Sequence, residues 1–125
     1  MPGSRYFRID WVLINQIAIG PAPRAERHLD RLTEEGISGV LSLCSTKEAK
    51  PPTGQIERFR SIRYVLPDHR SGRLPTLNEL ETDLEHLAEL HQYGSVFVHC
   101  VAAMERSPLV CLAWLVSQHG MKPEK

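Results

Sequence analysis

Cys100 closes the apolar run Val96-Phe97-Val98-His99, and Arg106 follows six residues later, with Ser107, Pro108 and a second apolar stretch to Val116 behind it. The first run reads as a short buried strand and the second as a buried helix, so the segment between them turns from strand to helix. Such a turn aims unpaired backbone N–H groups at one spot, and the positive end of the helix dipole favours an anion there. The same field favours thiolate over thiol, so Cys100 is expected to ionise more readily than an ordinary cysteine. An ionised sulfur is the useful nucleophile. The planar fork of Arg106 can hold two phosphoryl oxygens at once, which makes it a clamp and a transition-state stabiliser. Ser107 can donate its hydroxyl to the sulfur, Pro108 suits a first helical turn, and His99 is expected to orient the loop rather than react. Val101, Ala102, Ala103, Met104 and Glu105, together with Arg106, would line the phosphate cradle. The other cysteines lack this setting, since Cys44 has Lys50 at the same offset and Cys111 has Ser117.

His99-Cys100, five residues, Arg106 and Ser107 resemble the signature of the cysteine-dependent phosphatases of the tyrosine and dual-specificity class, and the resemblance covers most of the chain. It implies that Cys100 attacks phosphorus to give a phosphocysteine, which water then hydrolyses, with no metal and no other cofactor. The departing oxygen needs a proton. Asp68, 32 residues before Cys100, stands at a spacing similar to that of the general acid in dual-specificity phosphatases. His69 is a competing acid, because an imidazole is half-protonated close to neutrality. Some members of the family carry a second cysteine at the end of the neighbouring strand; the resemblance therefore suggests a reversible disulfide between Cys44 and Cys100, against the plainer role of a buried strand-end cysteine. Cys111 reads as core.

Three features depart from the pattern or qualify it. Ala103 stands where the family usually has glycine, which would cost roughly 1 kcal/mol if the loop needs positive φ there. Glu105 adds a negative charge next to Arg106, and the loop contains no lysine. Arg70 and Arg73 could return positive charge from the facing loop, or be solvated. No long insertion builds a deep pocket, so a shallow site taking phosphotyrosine and phosphoserine or phosphothreonine is favoured over lipid or nucleotide phosphates. The alternative is a catalytically weak, phosphate-binding pseudophosphatase. A sulfur-transfer or arsenate-reducing enzyme would leave Asp68 and the His-Cys, Arg-Ser frame unexplained.

These residues need a scaffold. Trp11 to Ile14 and Ile17 to Gly20 read as a hairpin or a kinked pair of edge strands, Pro23 to Glu35 as a helix stopped by Gly36, and Gly39 to Cys44 as a buried strand. A helix-prone stretch from Gln55 to Arg60 precedes a strand at Ile62 to Leu66. Thr76 and Glu79 form a capping box for a helix from Leu77 to Gln92. The last helix runs from Pro108 to His119, with Gly120 and Pro123 as its stop. This alternation predicts an α/β domain: a mainly parallel sheet of four or five strands flanked by helices, with Cys44, Asp68 and Cys100 at the carboxyl ends of strands, where such sheets bind ligands.

At 125 residues and 42% hydrophobic content the chain suits one domain over residues 1–125. Zero formal charge argues against broad binding to nucleic acid or an anionic membrane. The longest apolar run is too short to span a bilayer and no signal sequence is evident, which leads us to expect a cytoplasmic protein whose partner is a phosphorylated protein or another phosphomonoester. Three cysteines without metal spacing argue against a disulfide framework and a structural metal. The family usually continues with further helices; if this chain is a fragment, the uncovered apolar face would invite self-association.

Overall fold

A computed structural model describes residues 7–67, 69–101 and 106–118. Five strands, β1 (Asp10–Leu13), β2 (Ile17–Gly20), β3 (Ile37–Ser42), β4 (Arg60–Arg63) and β5 (Ser95–His99), form one sheet in the order β1, β2, β5, β3, β4. The β1 and β2 strands are an antiparallel hairpin, with Asn15 taking the left-handed turn position at φ 63. All other pairings are parallel, which is the α/β architecture expected from the alternation of elements.

The central strand explains the layers. Alternate residues of β5 face opposite ways. Val96 and Val98 pack with Leu41, Leu87, Val110 and Trp114 beneath helices α3 (Leu77–His91) and α4 (Arg106–Gln118). Phe97 points the other way, to Leu29 and Leu32 of α1 (Glu26–Glu34), with Val40 and Phe59. Each such side chain, fully buried, contributes about 1.5–3 kcal/mol. Gly20, paired with His99, is a necessity of close packing, since a Cβ there would lie 2.2 Å from the Arg8 carbonyl oxygen and 2.8 Å from the Phe97 ring.

Several boundaries differ from the sequence reading. The first helix starts at Glu26 rather than Pro23, because the chain before it is held extended: the Ala22 N–H donates to the Val101 carbonyl, and the Arg24 N–H to His28 Nδ1. The helix-prone stretch is a single turn, α2 (Gln55–Arg58), and buried Phe59 already has extended backbone, so β4 opens at Arg60. In the last helix, Arg106 is already helical, two residues before Pro108. The capping box of α3 forms as expected, Thr76 and Glu79 each bonding the other's backbone N–H. Gly120 and Pro123 lie outside the described residues. Among those described, no helix is long and apolar enough to cross a membrane.

Candidate active site

The parallel register brings the carboxyl ends of β3 and β5 together, Ser42 lying beside His99. Cys100 follows β5 directly and is 2% exposed. The Ser107 hydroxyl, in the first turn of α4, donates to the Cys100 sulfur at 3.4 Å. Thus the sulfur faces the amino end of a helix, where unpaired N–H groups and the helix dipole favour negative charge.

His99 holds the end of β5 in place. Burial drives its pKa down to about 4, so the ring is neutral at physiological pH. Nδ1 lies 3.0 Å from the Cys100 carbonyl oxygen and must carry the proton to donate to it. That leaves Nε2 as acceptor for the Ser42 hydroxyl at 2.7 Å. The imidazole therefore ties the Cys100 backbone to Ser42 of β3.

Arg106 is a buried cation, its side chain 5% exposed. One edge of its guanidinium is fully engaged: Nη1 donates to the Leu66 carbonyl at 3.0 Å and the Leu43 carbonyl at 3.2 Å, while Nη2 donates to Glu48 Oε1 at 2.9 Å. Burial works against the charge, but the hydrogen bond and charge of Glu48 outweigh it and the pKa is raised. Nε, also buried, has no hydrogen-bond partner among the described residues. A guanidinium anchored through its Nη edge with an unmatched Nε–H is suited to take an anion from the other side.

Sequence reasoning missed Glu48 and Ser42. Glu48 lies four residues past Cys44, at the sheet edge where Arg106 had to be held, and a buried arginine requires such a counter-ion. Ser42 was a lone hydroxyl in the apolar run Val40-Leu41-Ser42-Leu43. Asp68 lies outside the described residues, as do Ala102, Ala103, Met104 and Glu105, so their parts in acid catalysis and in the cradle stand as expectations. Of His69 only the backbone is described, in a single 3-10 turn, His69–Ser71.

Cys44 follows the carboxyl end of β3 as Cys100 follows that of β5, but the two pack in different clusters. Cys100 belongs to the cluster of Leu43, Val98 and Val110, whereas Cys44 packs with Ala22 and Ala49 against Val101. Burial raises the Cys44 thiol above its usual pKa, against the pull of nearby Arg63. Burial alone pushes Cys111 up to about 12, consistent with a core thiol.

No protein-family model matches the chain. Human dual specificity protein phosphatase 21 is 35% identical over 66 residues, covering 50% of this chain. The chain spans about a third of the length of that relative, 34%. The crystal structure of Tk-PTP in its active form is 23% identical and superposes with a TM-score of 0.76, over 91% of this chain and 76% of the other. PTPMT1, solved in complex with PI(5)P, is 22% identical with a TM-score of 0.72, over 87% and 72% of the two chains. The fold is that of the cysteine phosphatases. Beside that likeness of fold, the local sequence match is to a dual specificity phosphatase.

Proposed function

We propose that the chain is a phosphomonoester hydrolase acting through a phosphocysteine, with a phosphorylated protein as substrate and both phosphotyrosine and phosphoserine or phosphothreonine accepted. The observation that carries this reading is the pairing of the Cys100 sulfur with the Ser107 hydroxyl at the start of the helix that also bears the buried, Glu48-anchored Arg106. In the first step the Cys100 thiolate forms a bond to phosphorus as the P–O bond to the leaving group breaks, and Asp68 supplies the proton that the departing oxygen takes up. In the second, Asp68 as carboxylate removes a proton from water, the new oxygen bonds to phosphorus, and the P–S bond breaks with its electron pair returning to sulfur. Ser107, already bonded to that sulfur, stabilises the thiolate that leaves. Arg106 and the N–H groups from Val101 to Glu105 hold the transferring oxygens.

The test is hydrolysis of para-nitrophenyl phosphate without added metal and under reducing conditions. Cys100→Ser is expected to abolish turnover, and Asp68→Asn to lower it about a hundredfold or more, with loss of the basic limb of the pH profile. Folded wild-type protein with no turnover would overturn the reading in favour of a phosphate-binding pseudophosphatase. A panel of phosphotyrosine peptide, phosphothreonine peptide and PI(5)P then ranks the substrates. Preference for PI(5)P over both peptides would move the assignment to lipid phosphates, the ligand class seen with PTPMT1.

A further inference from the structure

Arg70 and Arg73 share one loop, yet their side chains have different attachments. Arg73 closes its fork on Glu79, both N–O distances 2.9 Å, and so belongs to the cap of α3. Arg70 lies at the centre of the His69–Ser71 turn and reaches the other way, its Nη2 lying 3.4 Å from Glu48 Oε1. That oxygen is the one that receives Arg106 Nη2. The second oxygen, Oε2, accepts from the Ser45 N–H at 3.0 Å and from Arg106 Nη1 at 3.4 Å. One carboxylate thus joins three segments: the loop after β3, the first turn of α4, and the turn that follows Asp68 in the chain.

We propose that Arg70 is a positioning residue, which by way of Glu48 sets the His69–Ser71 turn, next in the chain after Asp68, against the Arg106 clamp. The proposal rests on the phosphatase reading above. A general acid works only within hydrogen-bond reach of the oxygen it protonates, and small misplacements cost rate steeply. The oxygen leaves from one side of phosphorus while Arg106 holds the other oxygens, so the turn and the clamp need a common reference. Glu48 is well placed to supply it, being mostly buried, with 20% of its side chain exposed, and bonded to its own loop through Ser45. Arg70 is the exposed arm, with 67% of its side chain in solvent, so removing it leaves Glu48 paired with Arg106 and the phosphate end of the site intact.

This division of labour has a kinetic signature. Acid catalysis matters more as the leaving group becomes more basic, whereas the phosphate clamp serves all esters alike. The experiment compares the full chain with Arg70→Gln and Arg70→Lys on phenyl phosphate and on para-nitrophenyl phosphate. Arg70→Gln is expected to lower kcat about fivefold on phenyl phosphate and less than twofold on para-nitrophenyl phosphate, with KM unchanged for both. Arg70→Lys should recover most of the loss, since an ammonium can still pair with Glu48. Arg73→Gln, which loosens the α3 cap, should lower Tm without a leaving-group bias. Equal losses on the two esters, or no loss, would overturn the proposal; a rise in KM alone would instead make Arg70 a substrate contact. Absence of turnover in the folded wild type would overturn the phosphatase reading, and this role with it.

Discussion

Two carboxylates, the mostly buried Glu48 and the fully buried Asp83, sit under opposite conditions. Glu48 accepts hydrogen bonds from Arg106, Arg70 and the Ser45 backbone. Asp83, on the inner face of α3, is fully buried, and neither of its oxygens has a hydrogen-bond partner among the described residues. Burial, with the negative charge of Glu79 one turn earlier, raises its pKa to about 7. The contrast separates charge that the fold is built around from charge that it only tolerates. At the carboxyl ends of the strands a buried cation is matched, so the guanidinium is held in place before any ligand arrives. Beneath α3, a carboxylate occupies a core position at a cost in stability, and our mechanism makes no use of it.

The largest effect should come from breaking the matched pair. Glu48→Ala would leave Arg106 buried beside two carbonyl oxygens but without its counter-ion, a change that costs about 3–5 kcal/mol in comparable sites. Urea unfolding is expected to report that loss, and hydrolysis of para-nitrophenyl phosphate should fall with it as the clamp loses its anchor. A stability change below about 1 kcal/mol would mean that the carbonyls of Leu43 and Leu66 suffice to hold the guanidinium, and would erase the contrast with Asp83.

Asp83 should behave in the opposite sense. Its pKa in the fold lies above the ordinary value of 3.8, so folding favours the protonated form. The stability linked to that proton is complete below about pH 4, is lost as the pH rises towards about 7, and stays lost above it. Asp83→Asn keeps the shape and cannot ionise. The variant should match the wild type near pH 4 and exceed it by roughly 2–4 kcal/mol at pH 8, measured by denaturant unfolding at each pH. A pH-independent difference between the two proteins would show that Asp83 finds a partner when ionised.

The same comparison bears on what could be read from the sequence. Cys100, Arg106 and Ser107 were legible because their chemistry is concentrated in eight consecutive residues, and the apolar runs on either side announce the strand and helix that hold them. The five strands and the cap of α3 were legible because they follow from local periodicity and a local hydrogen-bond motif. Glu48 was not, because its partner is 58 residues away and only the strand order brings the two together. Asp83 was hidden in the same way. It stands among Glu79, Glu81, Glu85 and Glu89 on one helix, and only its burial in the fold singles it out. The late start of α1 likewise depends on Ala22 bonding to Val101, a contact that no local pattern announces.

The smallest expected effect concerns Cys44, which sequence resemblance offered as a redox partner for the nucleophile. Alternation along the parallel strands puts Leu43 on the face of Cys100 and Cys44 on the face of Val101. A disulfide needs Cβ atoms within about 3.5–4.5 Å of each other and vectors that converge, which the separate packing of the two thiols does not favour. The thiol is also poorly prepared to attack an oxidised partner, because burial raises its pKa and thiolate is the reactive form. Cys44→Ser is therefore expected to leave unchanged the fraction of activity that a reductant restores after mild peroxide. Recovery that falls in the variant, together with a peptide linking Cys44 to Cys100 in the oxidised wild type, would establish that the strand ends reorganise on oxidation and that the two faces communicate.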